Sequence, residues 1–383
     1  MSTEGLSIEG AVQDLRLVDH HVHGAGRHPL TRLELEGQLT ESDRPIPAWM
    51  TQFDSQLGLA VRRWCAPVLD LEPLAGADCY VRRRIELGPD EVNRRFLSVS
   101  GVGHYLVETG FGRDQVLSPV EMAAASGAES HEVVRLERVF EELAMRVTDA
   151  IALVEGYPNA LAQATMTAKG LKSIIAYRHG FDFDPARPSR AEVVAAAGEW
   201  ISGRGTTGLR LDHPVLLRHV LWIGVDRGLP IQLHAGYGDP DLDLRRCDPL
   251  LLTDFIRLVE EHGVPLVLLH CYPFHRNAGY LAQVFPHVFF DVGLAVNYTG
   301  LQSYQVVAES LELTPFAKLL FSSDAWGPPE LHFLGALLWR RALVRVLRPW
   351  VEAGDCSADD AVRIAGMIGH DNAHRLYGLG EAR

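Results

Sequence analysis

The chain has 383 residues, 47% hydrophobic and 22% charged, with a formal net charge of -13. That is enough apolar chain for a large core, and the acidic balance argues against nonspecific binding to DNA, RNA or an anionic membrane. No stretch approaches a membrane span. The five cysteines (Cys65, Cys79, Cys247, Cys271, Cys356) are scattered without a CxxC pair, which excludes a disulfide framework or cysteine zinc site and fits a reducing cytoplasm.

Residues 1–14 read as a short polar lead-in without the basic-then-apolar pattern of a secretory signal. The apolar strand Leu17–His23 follows and ends in His20-His21-Val22-His23. Alternate side chains share a face of a strand, so His21 and His23 point one way and His20 the other. Two imidazoles on one side of a strand end are half of a metal site. Residues 24–100 then read as a helical excursion inserted after the first strand. Helix-like apolar spacing recurs at Phe53–Cys65 and Asp78–Ile85, and Gly88-Pro89-Asp90 opens a helical run to Leu97.

From about residue 102 strands and helices alternate. Strands are predicted at Tyr105–Glu108, Val133–Leu136, Leu171–Tyr177, Leu229–His234, Val264–His270, Val288–Val292 and Lys318–Ser322. Helices are predicted over Ala144–Ala168 (broken at Gly156-Tyr157-Pro158), Leu216–Arg227, Leu250–His262, Ala278–Phe285 and Tyr304–Leu311, with Glu330–Val346 and Ala358–Leu376 closing the chain. Strands that are apolar almost throughout and separated by helices indicate a buried parallel sheet. With Leu17–His23 they make eight, which predicts an α/β fold, a (β/α)8 TIM barrel, as one domain over residues 1–383. An open doubly wound sheet is the structural alternative, and the first strand lacks the GxGxxG of its dinucleotide-binding form.

Active sites of such barrels sit at the C-terminal strand ends, and those ends carry a consistent set: His21 and His23, then His234, His270 and Asp324. Taken singly, His234 or His270 could be a hydrogen-bonded core histidine, and Asp324 a helix N-cap before Pro328-Pro329-Glu330. Taken together they converge on one mouth. Lys172, one of three lysines, lies on the fourth strand as a carboxylated metal bridge, a substrate-facing ammonium, or a lysine packed near the start of its strand. Its early place in Leu171–Tyr177 favours the last. Arg178 could fork a substrate carboxylate or sit in an exposed ion pair. Tyr237, Asp239 and Asp241 could read an amine or serve the turn after the fifth strand.

His-x-His followed by Lys, His, His and Asp on strands four, five, six and eight resembles the amidohydrolase superfamily. Gly170–Arg178, Leu229–Asp239, Leu269–Phe274, Phe321–Asp324 and Asn372–Gly378 are similar to its amidohydrolase-related branch, the FluG/nodulin-type domains associated with glutamine-synthetase-like proteins. Asp324-Ala325-Trp326-Gly327 departs from the Asp-Gly-His of that pattern, so the pocket wall differs. The resemblance implies a metal-dependent hydrolase acting on a C–N amide bond of a small molecule, with a γ-glutamyl amide as one candidate. His21, His23, His234 and Asp324 are then expected to hold Zn²⁺, with Mn²⁺ or Fe²⁺ as substitutes, and one metal is expected rather than two. Asp324 would also shuttle a proton and His270 would polarise the carbonyl or bind a second metal. The competing activity in the branch is metal-dependent decarboxylation of an aromatic acid. A barrel that has lost its chemistry and only binds a partner is disfavoured by the intact ligand types. Glu330–Val346, with Leu337, Leu338 and Trp339, could be core or a subunit contact of a homo-oligomer, and a functional link to a separate glutamine-synthetase-like ligase completes the expectations.

Overall fold

The structure, a computed structural model, describes residues 8–203 and 210–380. Seven strands form one sheet in the order of the sequence, each parallel to the next: β1 (Leu17–Val22), β2 (Val102–Glu108), β3 (Glu129–Arg135), β4 (Gly170–Ser173), β5 (Ile231–Ala235), β6 (Leu266–His270) and β7 (Val288–Phe290). The sheet curls and closes through the segment 319–325. Leu319 bridges Phe290 on one side. On the other, His20 N donates to Phe321 O, Asp324 N to His21 O and His23 N to Ala325 O, at 3.2, 3.2 and 2.9 Å. The eighth stave is therefore in place as extended chain rather than as a regular strand. Lys318 ends a short 3-10 turn (Phe316–Lys318) instead of opening a strand, and the Asn372 amide caps Leu319 O and Phe316 O.

The barrel interior is filled by Val18, Leu106, Val133, Val267, Leu269 and Leu320, and the C-terminal helical run packs Ala373, Tyr377 and Leu379 against them. The outer helices bury a larger core around the sheet. Three predicted boundaries moved. The lead-in contains the helix Ile8–Asp14, which buries Ile8 and Val12. Pro158 lies inside an unbroken helix, Ala150–Ala164. Glu330–Val346 belongs to one helix, Pro329–Ala353, whose Leu338 and Trp339 are buried within this chain, so those residues are core rather than a subunit contact. Among the described residues no helix is long and apolar enough to cross a membrane.

The largest change is at β4. The β-branched run predicted as strand through Tyr177 stops at Ser173 and turns into the helix Ile175–Arg178. The buried Glu137 carboxylate accepts from Ser173 Oγ (2.5 Å) and Ile174 N (2.9 Å), and Ser173 Oγ accepts from Ile175 N (3.1 Å). Side-chain acceptors thus take the amides that would have continued the ladder. Lys172 is therefore the penultimate residue of a four-residue strand, at the mouth and not at the near end.

Candidate metal centre

The strand ends converge as the spacing requires. Asp324 Oδ1 lies 3.0 Å from His21 Nε2 and 3.8 Å from His23 Nε2, and Asp324 Oδ2 lies 3.3 Å from His270 Nδ1. The His234 and His270 rings are 4.5 Å apart, and Lys172 Nζ is 3.5 Å from His21 Nε2. All six line a cavity of about 560 Å³ at the C-terminal mouth, a size suited to a small molecule. His20 stays out of it. Its ring bridges Asp291 (3.1 Å) and Tyr377 (3.2 Å) on the other side of β1.

The backbone bends to present these groups. Asp324 (φ 49°) and His270 (φ 66°) sit in the left-handed region, which aspartate tolerates better than most residues. Asp291 anchors the bends. It accepts from His270 N, Gly293 N and Ser322 Oγ at 3.2, 2.7 and 2.9 Å. Asp19 holds Ser323 through its amide and hydroxyl, at 2.9 and 2.5 Å, and burial lifts the Asp19 carboxyl to about 7.

Gln232 was not singled out from the sequence, although it stands two residues before His234 and so shares its face of β5. Its Nε2 donates to His20 O (2.7 Å) and Tyr377 Oη (2.9 Å), which leaves Oε1 to accept from His21 Nδ1 at 2.7 Å. The proton of His21 is thereby fixed on Nδ1 and the lone pair of Nε2 faces the cavity. Glu108, at the end of β2, is 3.3 Å from His23 Nδ1 but off the hydrogen-bond axis. It is itself held by Arg135, at 3.0 and 2.7 Å.

His23 Nδ1, His234 Nε2 and His270 Nδ1 are buried without a hydrogen-bond partner. Such groups are costly unless something satisfies them. Burial holds His23 down to about 4 and keeps His21, His234 and His270 well below the usual histidine range, so all four rings are neutral, the state in which imidazole ligates. Four neutral imidazoles around one carboxylate fit a divalent transition metal. Burial raises Asp324 well above the usual carboxylate range, with Lys172 opposing the shift, and brings Lys172 down to about 8 against the pull of Asp324 and Glu108.

Of the residues proposed to read the substrate, Arg178 and Asp239 line the cavity, as does Asp241. Arg178 pairs with Glu141 at 3.2 Å, and its Nη1 is buried and unpartnered. Tyr237 does not line the cavity. Its ring packs against Tyr272 and Tyr298, and Tyr177 and Tyr298 form the wall instead. Glu41, from the loop after the first strand's inserted helix Arg32–Gly37, also faces the cavity, and burial raises its pKa. Trp326, where the sequence departs from Asp-Gly-His, lines the same wall with Phe111, their rings 5.6 Å apart, and Phe111 in turn meets His23 edge-on at 6.1 Å.

A family described as Amidohydrolase matches residues 117–379. Over 224 residues the chain is 34% identical to Protein fluG of Emericella nidulans, an alignment covering 55% of this chain and 26% of that protein. The chain thus spans about a quarter of the length of this curated relative. A crystal structure from Lactobacillus casei ATCC 334, provisionally assigned as a metal-dependent hydrolase, superposes with a TM-score of 0.83 at 28% identity, covering 97% of both chains. A uronate isomerase from Bacillus halodurans C-125 shares the fold, with a TM-score of 0.63 at 13% identity over 97% of this chain and 96% of that one. The family match takes in β3 through β7, the closing segment, two of the four cavity histidines (His234 and His270) and Asp324, and on that extent of match the chain belongs to the amidohydrolase family.

Proposed function

We propose that the protein is a metal-dependent hydrolase that cleaves the C–N amide bond of a small molecule, with γ-glutamyl amides as the substrate class. The observation that carries this reading is the meeting of His21, His23, His234, His270 and Asp324 at one cavity, with ring nitrogens of His234 and His270 unsatisfied. His21, His23, His234 and Asp324 would hold the cation, Zn²⁺ by donor type, with Mn²⁺ or Fe²⁺ as substitutes. When bound, such an ion supplies Lewis acidity and lowers the pKa of a water from about 16 toward about 7.

The chain's own groups do the rest. Asp324 takes the proton from the attacking water and returns it to the nitrogen of the leaving amine as the C–N bond breaks. His270, neutral and 3.3 Å from Asp324, faces the carbonyl oxygen as charge develops on it. Lys172 keeps a positive or carboxylated nitrogen beside His21. At the far wall the unpartnered Nη1 of Arg178 suits a carboxylate, while the Glu41 and Asp239 carboxyl groups suit an ammonium. A cavity that offers both is matched by the α-amino acid end of a γ-glutamyl group.

The test is amine release from γ-glutamyl amides, other amides and aromatic acids by chelator-stripped protein before and after Zn²⁺ or Mn²⁺ is restored. Metal-restored release of amine from γ-glutamyl amides is expected. Arg178→Met should raise KM about tenfold or more with little change in kcat, because a buried charge-assisted pair is worth roughly 1.5–3 kcal/mol. Release of CO₂ from an aromatic acid with no amide turnover would replace this reading with the decarboxylase one.

A further inference from the structure

A second cluster of imidazoles lies at the opposite, N-terminal mouth of the barrel, and the chemistry above makes no use of it. His104 on β2 and Glu129 on β3 are cross-strand partners, and His131 follows two residues later on the same face of β3. His104 Nδ1 is 3.4 Å from His131 Nε2, and Glu129 Oε2 is 3.8 Å from each. The in-plane centre of three atoms so arranged lies about 2.1 Å from each, close to the bond length of Zn²⁺ to imidazole nitrogen or carboxylate oxygen, about 2.0–2.2 Å. Two neighbouring strands hold the three donors, so the triangle costs little reorganisation to form.

The surroundings are rich in imidazole. His104 is almost fully buried, and the stacked rings of His370 and His374, one helical turn apart on the C-terminal run, approach it with centroids 6.5 and 6.0 Å away. His374 Nε2 is taken by Gly380 O at 2.5 Å and His370 Nδ1 by Asp371 at 2.9 Å, so those two atoms are not among the donors. Lys169, whose charge acts on His131, is tied to Gly378 O at 3.1 Å.

We infer that His104 Nδ1, His131 Nε2 and Glu129 Oε2 form a second divalent transition-metal site, of zinc class, which braces β2 and β3 beneath the C-terminal helix. It lies at the barrel end away from the catalytic cavity, so its role is stability, with no part in the reaction. A ligand bound only by the folded state stabilises it by mass action.

The test is calorimetric titration of the chelator-stripped full chain with zinc chloride, paired with elemental analysis. His104→Gln/His131→Gln should lose one equivalent of zinc relative to wild type and keep its amide turnover, and the zinc-induced rise in Tm should shrink. Glu129→Gln, at an exposed residue that does not threaten folding, should weaken one zinc site at least about tenfold. A folded double variant with the wild-type zinc stoichiometry, or a Glu129→Gln protein with unchanged zinc affinities, would overturn the inference. If the catalytic centre bound no metal, wild type would still lose its zinc in the double variant, so the two readings fail separately.

Discussion

His21 turns a lone pair into the cavity only because Gln232 accepts the proton on its other nitrogen, and Gln232 can accept there only because His20 O and Tyr377 Oη take both of its amide hydrogens. This chain of hydrogen bonds fixes a tautomer without any charge, and partners of this kind typically carry 10- to 100-fold in metal affinity. Gln232→Leu should therefore weaken metal binding by roughly that factor while the far-ultraviolet circular dichroism stays that of wild type; chelator competition measures it, and an unchanged affinity would remove Gln232 from the account. Residue types were the most legible part of the site. An imidazole or carboxylate that closes an apolar run stands out in sequence. Gln232 did not, because an uncharged amide inside a strand looks like any other buried polar residue until its partners are seen.

At the scale of elements, what was hard to read was where strands stop. The run Leu171–Tyr177 has the composition of a strand, and only the long-range contact with Glu137 ends it at Ser173; that is why Lys172 was misplaced, and with it went the positional argument for one metal over two. Likewise β2 and β3 begin three or four residues before their apolar stretches, and the polar beginnings hold His104, Glu129 and His131. Close packing between elements gives a further test. A Cβ on Gly238, in the loop after β5, would lie 2.1 Å from Tyr177 Oη and 3.1 Å from His234 Nε2. Gly238→Ala should thus push Tyr177 and His234 apart, cutting activity at least about tenfold at a stability cost of roughly 1–3 kcal/mol. Kinetics with a urea titration would show it, and wild-type turnover would mean that the loop yields freely.

For the whole molecule, the order of strands and their closure followed from the alternation of apolar runs and helices, because a parallel barrel places neighbours in sequence beside each other. Stability should carry the mark of its buried neutral histidines. His219, on the helix Pro214–Arg227, packs against Phe140 and Tyr157, and burial lowers it from 6.5 to about 4. The unfolded chain binds this proton below about pH 6.5 and the folded chain only near pH 4, so its contribution is complete above pH 6.5, declines across that window and is gone below it. Because the ring is partly exposed, its share is on the order of 2 kcal/mol. His219→Leu should show a smaller loss of urea midpoint between pH 7 and pH 4.5 than wild type, and parallel losses would contradict the assignment.

The central claim is that one cation joins the ends of β1 and β5 to the closing segment. A crystal structure of the zinc-loaded protein, with anomalous scattering recorded at the zinc edge, tests it most directly. The account predicts a peak within bonding distance of His21, His23, His234 and Asp324, lost in Asp324→Ala; a zinc-loaded crystal with no peak among those four side chains would contradict it.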